Sequence, residues 1–430
     1  MYPTFIKNAF VKKTPKFNQY ILSFSSNGRH SMTTVNDSAG TILSLCDGKH
    51  SFDEIVSEIS QKYDDDYNKI QKMVLDFIKI FIDAGVIKDN TDRVNQRGCG
   101  IIKGSEEVYL PSMISWELTD YCPLKCQHCY LGKKNNKTAS MDDIQKVLAV
   151  IDLSGVYQVQ LTGGEALTHP NIGYIIHTLI ERGITVGVST SGYYFTNKIF
   201  EALQELKKVY GSRVRVSLDG QENKHNFVRG KDDAYRRTVE FIKKLIEREI
   251  PCQIETCLID QSEKEIEELV CFVKHLGVSS MEIGMLLNSG SAKDNNLKSI
   301  WDSHSFENLL RKLNNKYADN MFHIRNIEKA EKKNCGAGYI LCHIDAKMNI
   351  KPCPMLDIVL GNLNNEDIIQ IMKKWGKVFC DFEFPQEKYC ESCEQKDVCK
   401  HCTAAGLCNH NNVAECKWYR YAKETLEITD

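Results

Sequence analysis

The sequence lacks three features that would place the chain in other classes of protein. It has little net charge, because 55 Lys and Arg against 57 Asp and Glu leave −2, so no overall basic field would attract nucleic acid. It has no run of about 18 apolar residues, the length a membrane-spanning helix needs. Its first residues, MYPTFIKNAFVKKTPK, lack the apolar core of a secretion signal. We therefore expect a cytoplasmic protein with no membrane span and no nucleic-acid partner.

What the chain does have is an excess of cysteine. It contains 430 residues, 42% of them hydrophobic and 26% charged, which is ordinary for a globular protein of two or three domains. Eighteen residues are cysteine, and in a reducing compartment such an excess indicates metal ligation or redox chemistry in preference to disulfides. Three lie between Cys122 and Cys129, and ten lie between Cys335 and Cys416.

The first of three blocks, residues 1–88, reads as strands followed by short helices. Ser51 with Glu54 three residues later is a capping-box pattern that predicts a helix start. This order of elements suggests a small winged-helix-like module. Residues 89–110 are polar with scattered glycine, and we expect them to form a linker.

The second block, residues 111–325, alternates strands and helices at intervals of about thirty residues. This alternation predicts an α/β fold with a parallel sheet and right-handed crossovers. Six strands make a partial (β/α)6 barrel the natural closure, and chemistry in such barrels lies at the C-terminal strand ends. The predicted strands are SMISWEL, VYQVQLT, ITVGVST, RVRVSLD, PCQIETCLI and SSMEIGML.

The third block, residues 326–430, combines weak periodicity with dense cysteine. We expect it to bury little apolar core. Metal clusters would then have to supply most of its folding energy.

Three cysteines follow the first barrel strand, in the spacing Cys122-x3-Cys126-x2-Cys129. Three thiolates on one short loop can hold a [4Fe–4S] cluster by three irons and leave the fourth iron open. A zinc knuckle is the alternative, but it would need a fourth protein ligand.

This triplet resembles the signature of the radical S-adenosylmethionine (SAM) superfamily. The resemblance implies that Cys122, Cys126 and Cys129 are catalytic, holding the cluster whose open iron chelates SAM. An electron from the cluster then cleaves SAM to a 5′-deoxyadenosyl radical. His128 occupies a position where the family often has an aromatic ring near the adenine.

Later strand ends carry the same resemblance. Gly163-Gly164-Glu165 follows the second strand like the family's GGE motif, with Ala166 where proline is usual. The resemblance implies that the glycines admit the methionine moiety and that Glu165 accepts its ammonium. Contacts to the ribose and the methionine carboxylate are implied for Ser191, Ser217 and Arg229. Asp219 has either a structural or a cofactor role, and residues 288–291 form either a plain turn or an adenine contact.

The C-terminal cysteines resemble a SPASM domain, the extension of many radical SAM enzymes that modify peptides. The resemblance implies two auxiliary [4Fe–4S] clusters, whereas a zinc ribbon is the alternative. One cluster would use Cys335, Cys342, Cys353 and Cys402, and the other Cys390, Cys393, Cys399 and Cys416. Only two residues separate Cys399 from Cys402, where three are commonest. Cys408 is extra, so either Cys402 or Cys408 could complete the first cluster.

The first block resembles the PqqD-like family through the segments NDSAGTIL and DGKHSFDEI. That family binds the leader segment of ribosomally made precursor peptides by adding a strand beside a helix. A winged-helix DNA binder is the alternative, favoured by Lys7, Lys12, Lys13 and Lys16, but no basic recognition helix follows them.

Together the three resemblances imply a maturase of ribosomally synthesised peptides. Its partners would be a precursor peptide, with the leader on residues 1–88, and an electron donor such as flavodoxin or ferredoxin. We expect a thioether between a cysteine sulfur and another residue's carbon. A carbon–carbon cross-link and formylglycine-type oxidation of a protein Ser or Cys are alternatives. A non-catalytic iron–sulfur protein is a further one, but the intact Cys122–Cys129 and Gly163–Glu165 motifs oppose it.

Overall fold

The structure is a computed structural model. It describes residues 1–15, 20–26, 29–94, 102–132, 135–325, 335–394, 396–399, 402–412 and 414–428. The α/β architecture expected from the sequence is confirmed: a small module, a barrel of parallel strands and a cysteine-rich block follow one another along the chain. Within these ranges no helix is both long and apolar enough to cross a membrane.

The N-terminal module packs three helices against two small sheets. Strand β1 pairs antiparallel with β5, and the second sheet has the order β4-β3-β2-β6. The expected capping box is present, because the Ser51 side chain accepts from the Glu54 amide and the Glu54 side chain accepts from the Ser51 amide. The elements are β1 (Tyr2–Phe5), β2 (Phe10–Lys13), β3 (Tyr20–Ser26), β4 (Arg29–Val35), α1 (Asp37–Leu45), α2 (Phe52–Tyr63), α3 (Tyr67–Asp83), β5 (Ile87–Asn90) and β6 (Ile102–Gly104).

The segment expected to be a linker belongs largely to this module. Asn90 at the end of β5 pairs with Tyr2, and β6 adds a parallel strand beside β2. The Tyr20 hydroxyl donates to Glu106 over 3.2 Å. The polar composition hid these strands because each is only three or four residues long. Residues 95–101 of the segment lie outside the described ranges.

The six predicted barrel strands are all present and parallel, in the sequential order β7 to β12. A short seventh strand, β13, extends this sheet beyond β12. The elements are β7 (Met113–Glu117), α4 (Met141–Ser154), β8 (Gln158–Thr162), α5 (Ile172–Glu181), β9 (Thr185–Thr190), α6 (Asn197–Gln204), β10 (Arg213–Ser217), α7 (Glu222–Arg229), α8 (Ala234–Glu247), β11 (Cys252–Leu258), α9 (Glu263–His275), β12 (Ser280–Met285), α10 (Ser291–Asp294), α11 (Ser303–Tyr317) and β13 (His323–Arg325).

The C-terminal block continues the barrel sheet, because β14 pairs parallel with β7 and β15 and β16 follow it. The expectation that this block buries little apolar core is wrong. Trp375 and Phe379 of α12 and Trp418 of α16 are buried in the same core as the barrel helices. The elements are β14 (Leu341–Ile344), β15 (Asn349–Lys351), β16 (Gly361–Asn362), α12 (Ile368–Asp381), α13 (Glu387–Cys390), α14 (Lys396–Cys399), α15 (Thr403–Asn409) and α16 (Lys417–Thr425).

The module docks against the N-terminal ends of the barrel strands. The buried Lys12 ammonium of β2 donates to the Leu110 and Pro111 carbonyls, at 2.9 and 2.8 Å, just before β7 begins. Lys7 pairs over 2.9 Å with Glu181, where α5 ends ahead of β9. Two lysines that suggested a basic surface therefore hold the module to the barrel.

Candidate active site

The cysteine triplet lies at the C-terminal end of β7, where barrel chemistry is expected. Cys122, Cys126 and Cys129 are all half-buried. The Cys129 amide donates to the Cys126 carbonyl over 3.3 Å, which makes a tight turn between these two cysteines. Burial raises the pKa of Cys126; the nearby Arg229 opposes that rise, and the adjoining Cys129 adds to it.

The Gly163–Gly164 turn is packed against the start of this cysteine loop. The Gly164 amide donates to the Thr119 carbonyl over 2.6 Å, and the Glu165 amide donates to the Tyr121 carbonyl over 2.8 Å. A Cβ on Gly164 would overlap that Tyr121 carbonyl, and Gly163 has a φ of +155°. Glycine is therefore required here to bring two segments of the chain together, in addition to any room it leaves for a cofactor.

The Glu165 carboxylate is fully engaged inside the protein. It accepts from the Thr190 hydroxyl at 2.7 Å, the Ser191 hydroxyl at 2.5 Å and the Ser191 amide at 2.9 Å. A fourth donor is the Leu167 amide at 3.3 Å. A carboxylate accepts about four hydrogen bonds, so Glu165 joins the end of β8 to the end of β9. The ammonium contact implied for it stays a prediction and would require one of these donors to move.

The end of β10 carries a buried group of charges beside the cysteine loop. The Arg229 guanidinium lies 2.6 Å from the Asp219 carboxylate and donates to the Cys126 sulfur over 3.7 Å. Burial opposes ionisation of Asp219, but the adjacent Arg229 guanidinium outweighs it and lowers the pKa of Asp219. These contacts fit a structural role for Asp219, and a cofactor contact stays the alternative prediction. Ser217 is half-buried at the end of the same strand.

The segment after β12 closes the other side of the loop. The Ser291 amide donates to the Cys129 carbonyl over 2.7 Å. Asn288 Oδ1, Ser289 Oγ and His128 Nδ1 are buried and have no hydrogen-bond partner among the described residues. Such orphaned polar atoms are costly unless a ligand or water satisfies them. Three thiols beside unsatisfied polar groups fit an iron–sulfur cluster that carries a polar ligand.

The interior of the barrel is polar, a feature that the sequence reasoning missed. Arg215 pairs with Glu255 and, at 2.9 Å, with Glu282, and these side chains are 28%, 28% and 25% exposed. On the neighbouring strands Gln160 donates to Ser189 over 2.8 Å. Ordinary (β/α) barrels fill this space with branched apolar side chains. The signal was the strict alternation of polar and apolar residues in RVRVS and QVQLT, since fully buried parallel strands read as continuous apolar runs.

In the C-terminal block, four cysteines line one cavity, together with Trp418 and other residues. Burial raises the pKa of Cys399 to about 12, and the three neighbouring sulfurs add to the rise. The four are Cys390, Cys393, Cys399 and Cys416, the set that the sequence groups as one cluster.

A second group forms around Cys402. Burial raises the pKa of Cys353 to about 12, and the sulfurs of Cys402 and Cys335 add to that rise. Burial and then Cys402 also raise the pKa of Cys408, to about 11. Cys335, Cys353 and Cys402 thus lie within electrostatic range of one another, and Cys408 lies within range of Cys402. The choice of Cys402 or Cys408 as a cluster ligand stays a prediction.

Cys342 lies apart from this group in the structure, and the cluster-ligand role given to it from the sequence stays a prediction. It pairs with Ile114 in the β14–β7 ladder, and its sulfur lies 3.9 Å from that of Met372 on α12. Side chains alternate across a strand, so Cys342 points toward the helices while His343 faces the barrel interior and bonds Ser115 over 3.1 Å. Cys342 is an apolar core residue here.

Comparisons with known proteins agree with this site. Residues 116–273 match the model of the radical SAM superfamily, and residues 26–87 match that of coenzyme PQQ synthesis protein D, PqqD. The first match covers the cysteine triplet, the Gly163–Glu165 turn and Arg229. The second covers the hairpin strand β4 and the three helices of the module.

Two curated relatives come from Bacillus subtilis strain 168. The antilisterial bacteriocin subtilosin biosynthesis protein AlbA is 24% identical over 85% of this chain and 82% of its own length. The sporulation killing factor maturation protein SkfB is 26% identical over 63% and 67%. The solved structure of Streptococcus suis SuiB bound to its precursor peptide SuiA superposes with a TM-score of 0.66, at 14% identity, over 96% of this chain and 98% of that one. The chain therefore contains a PqqD domain followed by a radical SAM domain, the type that uses a [4Fe–4S] cluster and SAM.

Proposed function

We propose that this protein is a radical SAM maturase that modifies a ribosomally made precursor peptide. The observation that carries the proposal is the position of the module relative to the barrel. Lys12 and Lys7 hold the module at the N-terminal strand ends, the cysteine triplet lies at the C-terminal ends, and polar side chains such as Arg215 line the interior between them. The relatives named for bacteriocin biosynthesis and for maturation, and the SuiB complex with a precursor peptide, support the same function.

The chain's residues divide the work around the cofactor. A [4Fe–4S] cluster with bound SAM supplies a 5′-deoxyadenosyl radical, which removes a hydrogen atom from the substrate. Cys122, Cys126 and Cys129 would hold the cluster. Gly163, Gly164 and His128, with Ser191, Ser217 and Arg229, would surround SAM. Glu165 fixes the geometry of two of the strand ends.

The core peptide would reach the radical through the barrel interior. Partly exposed Arg215, Glu255 and Glu282 offer hydrogen bonds and charge to a peptide, which an apolar interior would not. A leader bound to the module beneath the barrel would place the core peptide at the entrance. Such tethering gives effective concentrations in the millimolar range for short linkers.

The C-terminal cysteines would hold two auxiliary [4Fe–4S] clusters, one in each group of four thiols. An auxiliary cluster would accept the surplus electron of the substrate radical, and an external flavodoxin or ferredoxin would reduce the barrel cluster.

We propose a cysteine thioether as the product, with a carbon–carbon cross-link as the second candidate. The test is anaerobic reaction of the reconstituted enzyme with SAM, a reductant and the precursor encoded by a short reading frame beside the gene. Tandem mass spectrometry should show a loss of two hydrogens and a missing free thiol in the core peptide. A loss of two hydrogens with all thiols free would support the carbon–carbon product. SAM cleavage with no change in any encoded precursor would contradict the maturase proposal.

The leader site is tested in the full chain, because Lys12 and β6 join the module to the rest of the protein. The strand β4 lies at an edge of its sheet, and Met32 on it is 42% exposed. Fluorescence anisotropy should show saturable binding of a labelled leader that Met32→Asp weakens at least tenfold. Met141→Asp, an equally exposed methionine at the start of α4, is the matched control and should bind as the unaltered chain does. Equal binding by both variants would exclude this edge as the leader site.

A further inference from the structure

Arg229 connects the cysteine loop to the buried Asp219. One end of its guanidinium donates to Cys126 Sγ over 3.7 Å, while the Nη2 atom lies 2.6 Å from Asp219 Oδ2. Arg229 is 7% exposed and Asp219 is 0% exposed, so solvent hardly screens either contact. The family resemblance implies for Arg229 a contact with the ribose or the methionine carboxylate of SAM, and this contact with a cluster ligand is additional.

Local structure holds the guanidinium in this position. Helix α7 ends at Arg229, and the Val228 carbonyl accepts from the Gln127 amide over 2.9 Å, which fixes the helix end to the cysteine loop. Gly230 adopts a left-handed φ of +68°, and a Cβ there would lie 2.7 Å from the Lys125 carbonyl. The loop and the helix end therefore form one unit.

Hydrogen bonds also hold Asp219, the carboxylate that pairs with the other end of the guanidinium. Asp219 Oδ1 accepts from the Cys257 amide over 3.1 Å, and the Asp219 amide donates to His225 Nδ1 over 3.1 Å. Burial lowers the pKa of His225, with Arg229 adding to the effect, so this imidazole brings no competing positive charge near neutral pH. Among the described residues, Arg229, Cys129 and Asp219 are the charged groups that act on Cys126, and Arg229 is the one that donates to its sulfur.

We infer that Arg229 sets the reduction potential of the barrel cluster through Cys126, and that Asp219 moderates this effect. The inference rests on the cluster assigned above but not on any peptide substrate. Reduction adds negative charge to the cluster and its thiolates, so a cation that hydrogen-bonds a ligating sulfur stabilises the reduced form and raises the potential. The Asp219 carboxylate opposes this because it partly neutralises the guanidinium. Arg229 is thus a positioning and tuning residue for the cluster.

The test is an EPR-monitored redox titration of the reconstituted full chain without SAM and without peptide. Arg229→Gln should move the midpoint potential of the barrel cluster to a more negative value, and Arg229→Lys should shift it less, because the charge remains. Asp219→Asn should move it in the positive direction. Arg236→Gln, which removes a guanidinium that is 65% exposed on α8, is the control and should leave the potential unchanged.

The inference is overturned if the Arg229→Gln variant keeps its full iron content and its barrel cluster has an unchanged midpoint potential in the absence of SAM. If that variant only binds SAM more weakly, Arg229 is a contact for the cofactor and does not tune the cluster. If Arg229→Gln cannot retain iron, the sign of the Asp219→Asn shift decides, and a negative shift or none overturns it. Failure to modify a peptide would contradict the maturase proposal without changing these potentials, so the two failures are distinguishable.

Discussion

The two cysteine-rich regions are built in different ways. The barrel loop is held by backbone hydrogen bonds from three other segments, through Gly164, Val228 and Ser291, so its shape exists without a metal. The helices described within the region 387–416 are only four to seven residues long. Cysteine sulfurs cap α15 and the following α16 by accepting from the Ala405 and Tyr419 amides. Helices this short are not stable alone. We therefore expect the barrel to position its cluster, and we expect the C-terminal region to depend for its folding on the clusters proposed for it.

The largest expected effect comes from removing the barrel thiols. With Cys122, Cys126 and Cys129 all changed to Ala, we expect no detectable 5′-deoxyadenosine, because no ligand remains for the cluster that cleaves SAM. Iron content should fall by about four atoms per chain, the content of one [4Fe–4S] cluster. The melting temperature should change little, because the polypeptide holds this loop. Cys271→Ala, a half-buried thiol on α9, is the control. SAM cleavage that persists in the triple variant would refute the cluster assignment.

The converse prediction concerns the loss of metal from the C-terminal block. After anaerobic iron removal, amide hydrogen exchange in α13 to α15 should rise at least tenfold, since ligation is folding energy for such a region. Exchange in β7 to β12 should stay near its starting rate. Cys393→Ala should reproduce the change locally, with SAM cleavage surviving better than product formation. Zinc in the anaerobically purified protein would contradict the assignment of iron–sulfur clusters to the C-terminal block. Equal hydrogen exchange in both regions would contradict the difference proposed between the block and the barrel.

A single methyl group tests whether packing holds the barrel loop. Gly164→Ala should weaken SAM binding and lower the free energy of unfolding by about 1–3 kcal/mol, because its Cβ overlaps the Tyr121 carbonyl. Gly173→Ala on α5 is the matched control, since its Cβ would meet only Ala202 Cβ at 3.6 Å. Chemical denaturation and isothermal titration with SAM measure both effects. If both variants have the same unfolding free energy and the same affinity for SAM, close packing of the glycine turn does not hold the loop.

The smallest expected effects on stability come from the contact between the module and the barrel. Hydrogen bonds stabilise this contact, as they stabilise the barrel loop. Lys12→Ala leaves the Leu110 and Pro111 carbonyls without their donor, at a cost of about 1–3 kcal/mol of unfolding free energy. Lys7→Ala removes an exposed ion pair, so its effect on the unfolding free energy should be smaller still. Chemical denaturation should show the same loss of unfolding free energy for Lys12→Ala in the presence and in the absence of iron. If the loss disappears when iron is removed, the docking of the module depends on the clusters instead of on these hydrogen bonds.

Local patterns were sufficient for much of this protein. The alternation of strands and helices predicted six parallel strands, and the spacing of Cys122, Cys126 and Cys129 placed a three-thiol loop after the first. The capping box at Ser51 fixed a helix start. These features arise from residues close in sequence, whose periodicity and spacing act directly on the backbone.

Partners distant in sequence escaped prediction. The sequence gives no reason to separate Cys342 from the other cysteines of the C-terminal block. In the structure, the register of β14 against β7 directs its sulfur toward Met372. In the sequence Lys12 belongs to a basic run, but in the structure it is buried and donates to three acceptors about a hundred residues away along the chain. Spacing along the chain carries no information on which face of a sheet a residue will occupy or which segment will cover it.

Residue types and their spacing along the chain were thus sufficient to predict the thiols, their grouping into a barrel loop and a C-terminal block, and the glycine turn after the second strand. The folded structure was needed to show which thiols lie together, that Glu165 joins two strand ends, and that Arg229 reaches from Asp219 to Cys126. This difference arises because ligand types and loop spacings are local properties. The pairing of buried charges depends on packing between segments that meet only when the sheet forms.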